Sequence, residues 1–238
     1  MSPSKSQNNA PDAEIQVPMP DVVRFVRQLG HDLRNHLNAA ELQSAYVAEV
    51  AEDPELKTEI KRLRAMVSEV GASLQKLTYS LSTVKLTEMP YGASDFIDDL
   101  RQKLAADFPN EHSQVEWNVD AGDAILEIDP QLLQPAFLEL FANAFRHERG
   151  TGVISVEAKI ADATFVFTIR EPKNQFEYST ENWGREPMRS ISHGHYGLGL
   201  HRARVIIEAH QGQLHARYDS PASSLFTTVT LPLSNKRA

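Results

Sequence analysis

The sequence predicts an α+β chain in which an antiparallel helical hairpin is followed by a two-layer α/β sandwich. Three observations lead there: apolar residues spaced by four and three between Val22 and Val84, short alternating runs from Gln114 onward, and helical stretches interleaved with those runs. The chain has 238 residues, room for one large domain or two small ones and enough to bury a core. Its net charge is −8, with no Lys/Arg cluster dense enough to follow a phosphate backbone, so nucleic acid is not an expected partner. It has no cysteine, which excludes disulfides and zinc–thiolate sites. No apolar run reaches the about 18 residues of a membrane span. Residues 1–20 are polar and proline-rich and lack the apolar core of a secretion signal. A disordered leader over 1–20, no membrane contact and a cytoplasmic location are expected.

In the first helix Val22, Val26, Leu29, Leu33, Leu37 and Ala40 follow steps of four and three, with Asp21 expected as N-cap after Pro20. The break "EDPE" (52–55) puts Pro54 at the start of a second helix. There Leu56, Ile60, Leu63, Val67, Val70, Leu74, Leu77, Leu81 and Val84 form a coiled-coil seam. A lone hairpin leaves apolar surface exposed, and a second copy covers it, giving a four-helix homodimer. The hairpin is expected over 21–87 and a second domain over 88–238. Within the second domain, 94–108 reads as a helix, and 114–120 and 124–129 as short strands around the turn "AGD". Residues 130–148 read as a helix, and "GVISVEAKI" and "ATFVFTIRE" as a hairpin turning at 161–162. An irregular stretch, 172–193, leads to a glycine-opened helix from Gly197, and "QLHARYDS" and "SLFTTVTLPL" close as another hairpin.

His31 lies two residues from Leu29 and two from Leu33, so at about 100° per residue it points away from the seam. Asn35, four residues on, shares that outer face. A polar residue on a polar face needs no special explanation. An exposed imidazole on a rigid helix is also an accessible nucleophile, and Asp32 beside it can orient the ring or take its proton. His36 is turned toward the seam edge and reads as a helix–helix packing residue; the His31–His36 spacing suits a metal poorly.

In "ELFANAFRH" (139–147), Glu139 and Asn143 share one helix face, so two oxygen donors of the kind Mg²⁺ takes point at one spot. An amphipathic helix with Leu133, Phe137, Leu140, Phe141 and Ala144 as its core face accounts for the same pattern. Gly194, Gly197 and Gly199 precede and open a helix, where bare N–H groups and the helix dipole favour phosphate; a flexible loop before a close-packed helix start is the alternative.

Taken together, "HDLRN", "ELFANAFRH" and "GHYGLGLHRARVIIEAHQGQLHA" (194–216) resemble the H box, N box and second glycine box of bacterial two-component sensor histidine kinases, in order and spacing. The resemblance spans roughly 21–233 and implies that the second domain is an ATPase of the histidine-kinase type, a fold shared with type II topoisomerases and heat-shock chaperones. It implies ATP and Mg²⁺ as cofactors, with Asn143 and Glu139 toward the metal, Arg146 near the phosphates, and Gly194, Gly197 and Gly199 in the phosphate loop. It further implies that His31 takes the γ-phosphoryl group with Asp32 as base or orienting acid. The group then passes to an aspartate of a response-regulator receiver domain, and Asn35 can position water for the reverse reaction.

Two departures stand out. The H box has His36 where the family carries proline. After "FVFTIR" the family carries an aspartate and two glycines that hold adenine, whereas this chain reads "EPKNQ" (171–175). Glu171 can replace the aspartate as acceptor for the adenine amine, but Pro172 has no N–H, and Lys173 and Gln175 stand where glycines would let backbone approach. The leading expectation is a histidine kinase. The alternatives are a phosphorelay phosphotransferase with a decayed nucleotide site, and a scaffold that binds receiver or anti-sigma-type partners without chemistry.

Overall fold

Two long helices, α1 (Met19–Val50) and α2 (Pro54–Ser80), make up the first of two units. The computed structural model describes residues 18–146, 150–176, 179–185 and 197–234, and the units divide between Tyr79 and Ser80. Most of the expected leader lies outside the described residues, but Met19 and Pro20 already belong to α1. Asp21 is therefore not the N-cap. Pro20 is suited to a first turn because it lacks the N–H that would be orphaned there, so the helix starts ahead of it, and Asp21 pairs with Arg24 at 2.8 Å.

The helices run antiparallel: a Cβ on Gly30 would lie 2.3 Å from Thr78 Cγ2 and one on Gly71 4.0 Å from Leu37 Cδ1, while Glu41 lies 3.9 Å from Arg64. The apolar seam of α2 splits in two. Ile60 is buried and Val67 and Leu74 are half-buried, whereas Leu56, Leu63 and Val70 are 46%, 49% and 55% exposed. On α1, Phe25, Leu29 and Leu33 are likewise exposed. Positions seven apart share a face, so one half of the heptad pattern is covered within the hairpin and the other is left as a continuous apolar stripe.

The expected extension of the hairpin to residue 87 does not hold. Helix α2 stops at Ser80, and Val84 packs against the core of the second unit. Arg202 donates to the Ser82 carbonyl and, at 3.2 Å, to its hydroxyl, and the Thr87 N–H donates to Asp129 Oδ2 at 2.9 Å. Hydrogen bonds to a folded neighbour thus override a helical period that extends past Ser80.

The second unit contains β1 (Met89–Gly92), α3 (Ala93–Asp107), a short 3-10 turn, β2 (Val115–Asp120), β3 (Ile125–Ile128) and α4 (Pro130–Arg146). Then come β4 (Ile154–Ala161), β5 (Thr164–Pro172), α5 (Gly199–Ala209), β6 (Gln213–Asp219) and β7 (Ser224–Pro232). The main sheet has the order β2-β4-β5-β7-β6, with β2 parallel to β4 and the remaining pairs antiparallel. The strands around "AGD" do not pair with each other: β3 pairs with β1, in a segment read from sequence as a boundary. Pro90 within β1 suits a strand in so small a sheet, where a missing N–H costs little. The β4–β5 turn uses Asp162 and Ala163 at φ 48° and 56°, the two left-handed positions of a tight hairpin.

Alternation along β5 turns Phe165, Phe167 and Ile169 inward, against Phe137 and Phe141 of α4. The Phe137 and Phe167 rings meet at 4.8 Å and Phe96 of α3 closes on Phe137 at 5.1 Å, both edge-on. His210, buried at the end of α5, locks this layer. Its Nδ1 lies 2.7 Å from the Ile206 carbonyl, and its Nε2 accepts the Asp129 N–H at 3.0 Å. Both bonds are made only by the neutral ring with its proton on Nδ1. His210→Ala leaves the Asp129 N–H without its acceptor and is expected to lower the unfolding free energy by about 1–3 kcal/mol, measured by urea denaturation.

Candidate functional site

On the first unit, the His31 side chain is 67% exposed, on the outer face that the periodicity predicts. Its Nδ1 lies 3.2 Å from Asp32 Oδ1, which also accepts from Gln28 Nε2 at 2.9 Å. Asn35 Nδ2 lies 3.5 Å from the same ring nitrogen and, being a donor itself, makes no bond to it while Nδ1 carries the proton. The bond from His31, followed by that from Gln28, holds the Asp32 carboxyl below its ordinary value. An ionised Asp32 accepts a proton-bearing Nδ1, which leaves the lone pair of a neutral ring on Nε2, directed at solvent. His36, expected at the seam edge, is exposed. Gly30, which the sequence reading passed over, is buried one residue before His31, where Thr78 occupies the space a Cβ would take. Its only sequence signal is a glycine inside a strong helix pattern.

On the second unit, Glu139 and Asn143 are half-buried on α4, and Arg146 is exposed at its last position. Asn143 Nδ2 donates to the Glu139 carbonyl at 2.8 Å, so its Oδ1 remains as an acceptor. Gly199 opens α5, and a Cβ there would fall 2.0 Å from Glu139 Oε1. The fold therefore brings Glu139 against Gly199, with a carboxylate at the positive end of the α5 dipole. Gly197 adopts φ 62°, a left-handed turn that favours glycine. Gly194 lies outside the described residues, as do residues 193 and 195 of "HGH". Arg202 and Arg204, the buried cations of α5, serve structure: Arg202 reaches Ser82, and Arg204 donates to the Trp183 carbonyl at 2.6 Å and to Glu208 at 2.8 Å.

Glu171 ends the inward face of β5, 5% exposed, with its Oε1 3.1 Å from Lys173 Nζ. The residues present thus fit a Mg²⁺–phosphate group at one end, while the other end is occupied by the chain's own side chains. Asn143 offers one oxygen donor and no cluster of three ligating side chains exists among the described residues, as suits a cation held mainly by phosphates and water. The acceptor expected to meet the adenine amine is already engaged by the chain's own ammonium.

Residues 128–235 match the family of histidine kinase-, DNA gyrase B- and HSP90-like ATPases. The relatives include sensor histidine kinase SpaK of Bacillus subtilis, 27% identical over 149 residues, 59% of this chain and 32% of SpaK. Adaptive-response sensory kinase SasA of Nostoc sp. is 25% identical over 88% of this chain and 57% of its own length. The chain thus spans from a third to just over half of these relatives. Among solved structures, full-length ShkA in complex with AMPPNP superposes with a TM-score of 0.68 at 15% identity, over 90% of this chain and 47% of its own. Histidine kinase ThkA in complex with response regulator TrrA gives 0.55 at 16%, over 90% of this chain and 63% of its own. At such identities the structural likeness carries the fold alone. The fold is α+β with an ATPase domain of the histidine-kinase type. The ATPase-type match over residues 128–235 and these relatives make the chain similar to sensor histidine kinases. No helix among the described residues is long and apolar enough to cross a membrane.

Because Asp32 stays ionised to a lower pH than a free aspartate, its hold on the His31 ring persists below the ordinary carboxylate range and is lost as pH falls through the depressed value. Nitrogen-15 NMR of the imidazole should find neutral His31 mainly protonated on Nδ1, and Asp32→Asn should raise the Nε2–H share.

Proposed function

We propose that this histidine-kinase-like protein accepts a phosphoryl group on His31 Nε2, from ATP·Mg²⁺, and passes it to an aspartate of a response-regulator receiver domain. The observation that carries the reading is the exposed His31–Asp32 pair on α1. Bound ATP·Mg²⁺ would supply an activated γ-phosphoryl group. At His31 the N–P bond would form on Nε2 as the bond between the γ-phosphorus and the β–γ bridging oxygen breaks and ADP leaves; the ring becomes cationic, and Asp32 stabilises or takes the Nδ1 proton. Asn143 Oδ1 would hold the metal, Glu139 would face it through water, Arg146 would neutralise phosphate charge, and the Gly194–Gly199 loop would cradle the phosphates. Asn35 would position water for hydrolysis of the phosphohistidine. The AMPPNP held by ShkA and the TrrA held by ThkA support the two partners by likeness.

A second reading, a phosphotransferase that receives its phosphoryl group from a receiver rather than from ATP, is favoured by the Glu171–Lys173 pair. Incubation with radiolabelled ATP·Mg²⁺ and, separately, with a labelled phospho-receiver tells them apart. Acid-labile, base-stable label from ATP, absent in His31→Gln and Asn143→Asp, is expected for the kinase. Label taken only from the receiver gives the shuttle, and none from either source leaves a scaffold.

Residues 21–80 would form the phosphoacceptor hairpin and pair with a second copy through the exposed stripe of Leu56, Leu63 and Val70. Light scattering after size exclusion should give a dimer mass that Leu63→Glu with Val70→Glu reduces to that of one chain.

A further inference from the structure

Beyond Ile169 the inward face of β5 stays buried but ceases to be apolar. The next two positions on that alternation are Glu171 and Lys173, with side chains 7% and 4% exposed and Nζ donating to Oε1 at 3.1 Å. The segment around the pair is pinned. The Lys173 N–H donates to the Ser223 carbonyl at 2.7 Å, and the Gly150 N–H to the Pro172 carbonyl at 2.8 Å. The Tyr218 hydroxyl is shared between the carbonyls of Lys173 and Asn174, at 3.2 and 3.1 Å. The Lys173 ammonium also lies 5.9 Å from the Phe176 ring, which packs on Trp183 and Tyr218.

Withdrawing two charges from water is costly, and a buried ion pair is a poor stabiliser compared with apolar residues of similar size. A Val or Ile at each position would continue the β5 pattern. What the pair does do is give one oxygen of a buried carboxylate, Glu171 Oε1, a donor. An exocyclic base amine is another such donor, and it competes for the oxygen that the ammonium faces.

We propose that Lys173 is an internal occupant of the base-recognition position: its ammonium holds Glu171 where a nucleobase amine would bind, so nucleotide must displace Lys173 and the residue sets the affinity of the site. This rests on the reading of Glu171 as the base acceptor. It makes the base end of the site closed at rest. It also makes affinity depend on the base: a purine with an amine can replace the ammonium, whereas one with a carbonyl there presents an acceptor to an acceptor.

The test is titration of the whole chain with ATP·Mg²⁺ and with ITP·Mg²⁺, followed by calorimetry, for the wild type and Lys173→Ala. Lys173→Ala should bind ATP at least about tenfold more tightly than the wild type, with a smaller gain for ITP. Equal or weaker ATP binding by the variant, with the wild type binding well, overturns the proposal and leaves the nucleotide site standing. Failure of both proteins to bind either nucleotide overturns the proposal together with the reading beneath it. Because Lys173→Ala strands a buried carboxylate and can fail to fold, the wild type is also footprinted with an amine-reactive reagent and mass spectrometry. Lys173 should resist labelling alone and become reactive at saturating ATP·Mg²⁺. Labelling without nucleotide, or protection that persists once nucleotide is bound, overturns the proposal.

Discussion

The contact between α4 and β5 is the interaction on which the second unit depends. Phe137 and Phe141 of the helix meet Phe167 of the strand, at 4.8 and 6.2 Å between rings, and Phe96 closes the cluster from α3. A helix turning every 3.6 residues and a strand alternating every two are thereby held in one register. Once Phe137 and Phe141 face inward, Glu139 and Asn143 are left half-buried on another side of α4. Once Phe165, Phe167 and Ile169 face inward, Glu171 must as well, which is how a carboxylate comes to be buried at the end of a hydrophobic face.

The two ends of the candidate nucleotide site are consequently in different states. At the phosphate end, α5 approaches α4 so closely that a Cβ at position 199 would require the Glu139 side chain to move, and the Asn143 amide donates to its own helix while keeping its oxygen as an acceptor. At the base end, one buried charge is answered by another from the same strand extension, and Tyr218 and Ser223 fix the backbone that carries it. There the ammonium reaches Oε1 of Glu171, and the second carboxylate oxygen, Oε2, is buried without a hydrogen bond among the described residues.

The hairpin obeys a separate constraint. Its outer face carries an exposed imidazole oriented by neighbours on the same helix, Asp32 directly and Gln28 through Asp32. Its packing face needs close approach, which Gly30 allows one residue before His31 by admitting Thr78. Adjacent positions of α1 thus carry the close packing and the exposed imidazole, about 100° apart on the helix.

The helices and strands, the outward turn of His31 and the shared face of Glu139 and Asn143 were legible from periodicity, since each depends on spacing within one element. The pairing partners of β2 and β3 were not, because a turn signal marks a reversal without naming the neighbouring strand; β1 was hidden by its proline. Nor was the end of α2, where Arg202, more than a hundred residues away, binds Ser82. Lys173 stood out in the sequence only as a missing glycine. Alternation along β5 assigns it and Glu171 to one face, but only the folded chain decides that this face is still buried so far along the strand, and a charge removed from water must find its partner there.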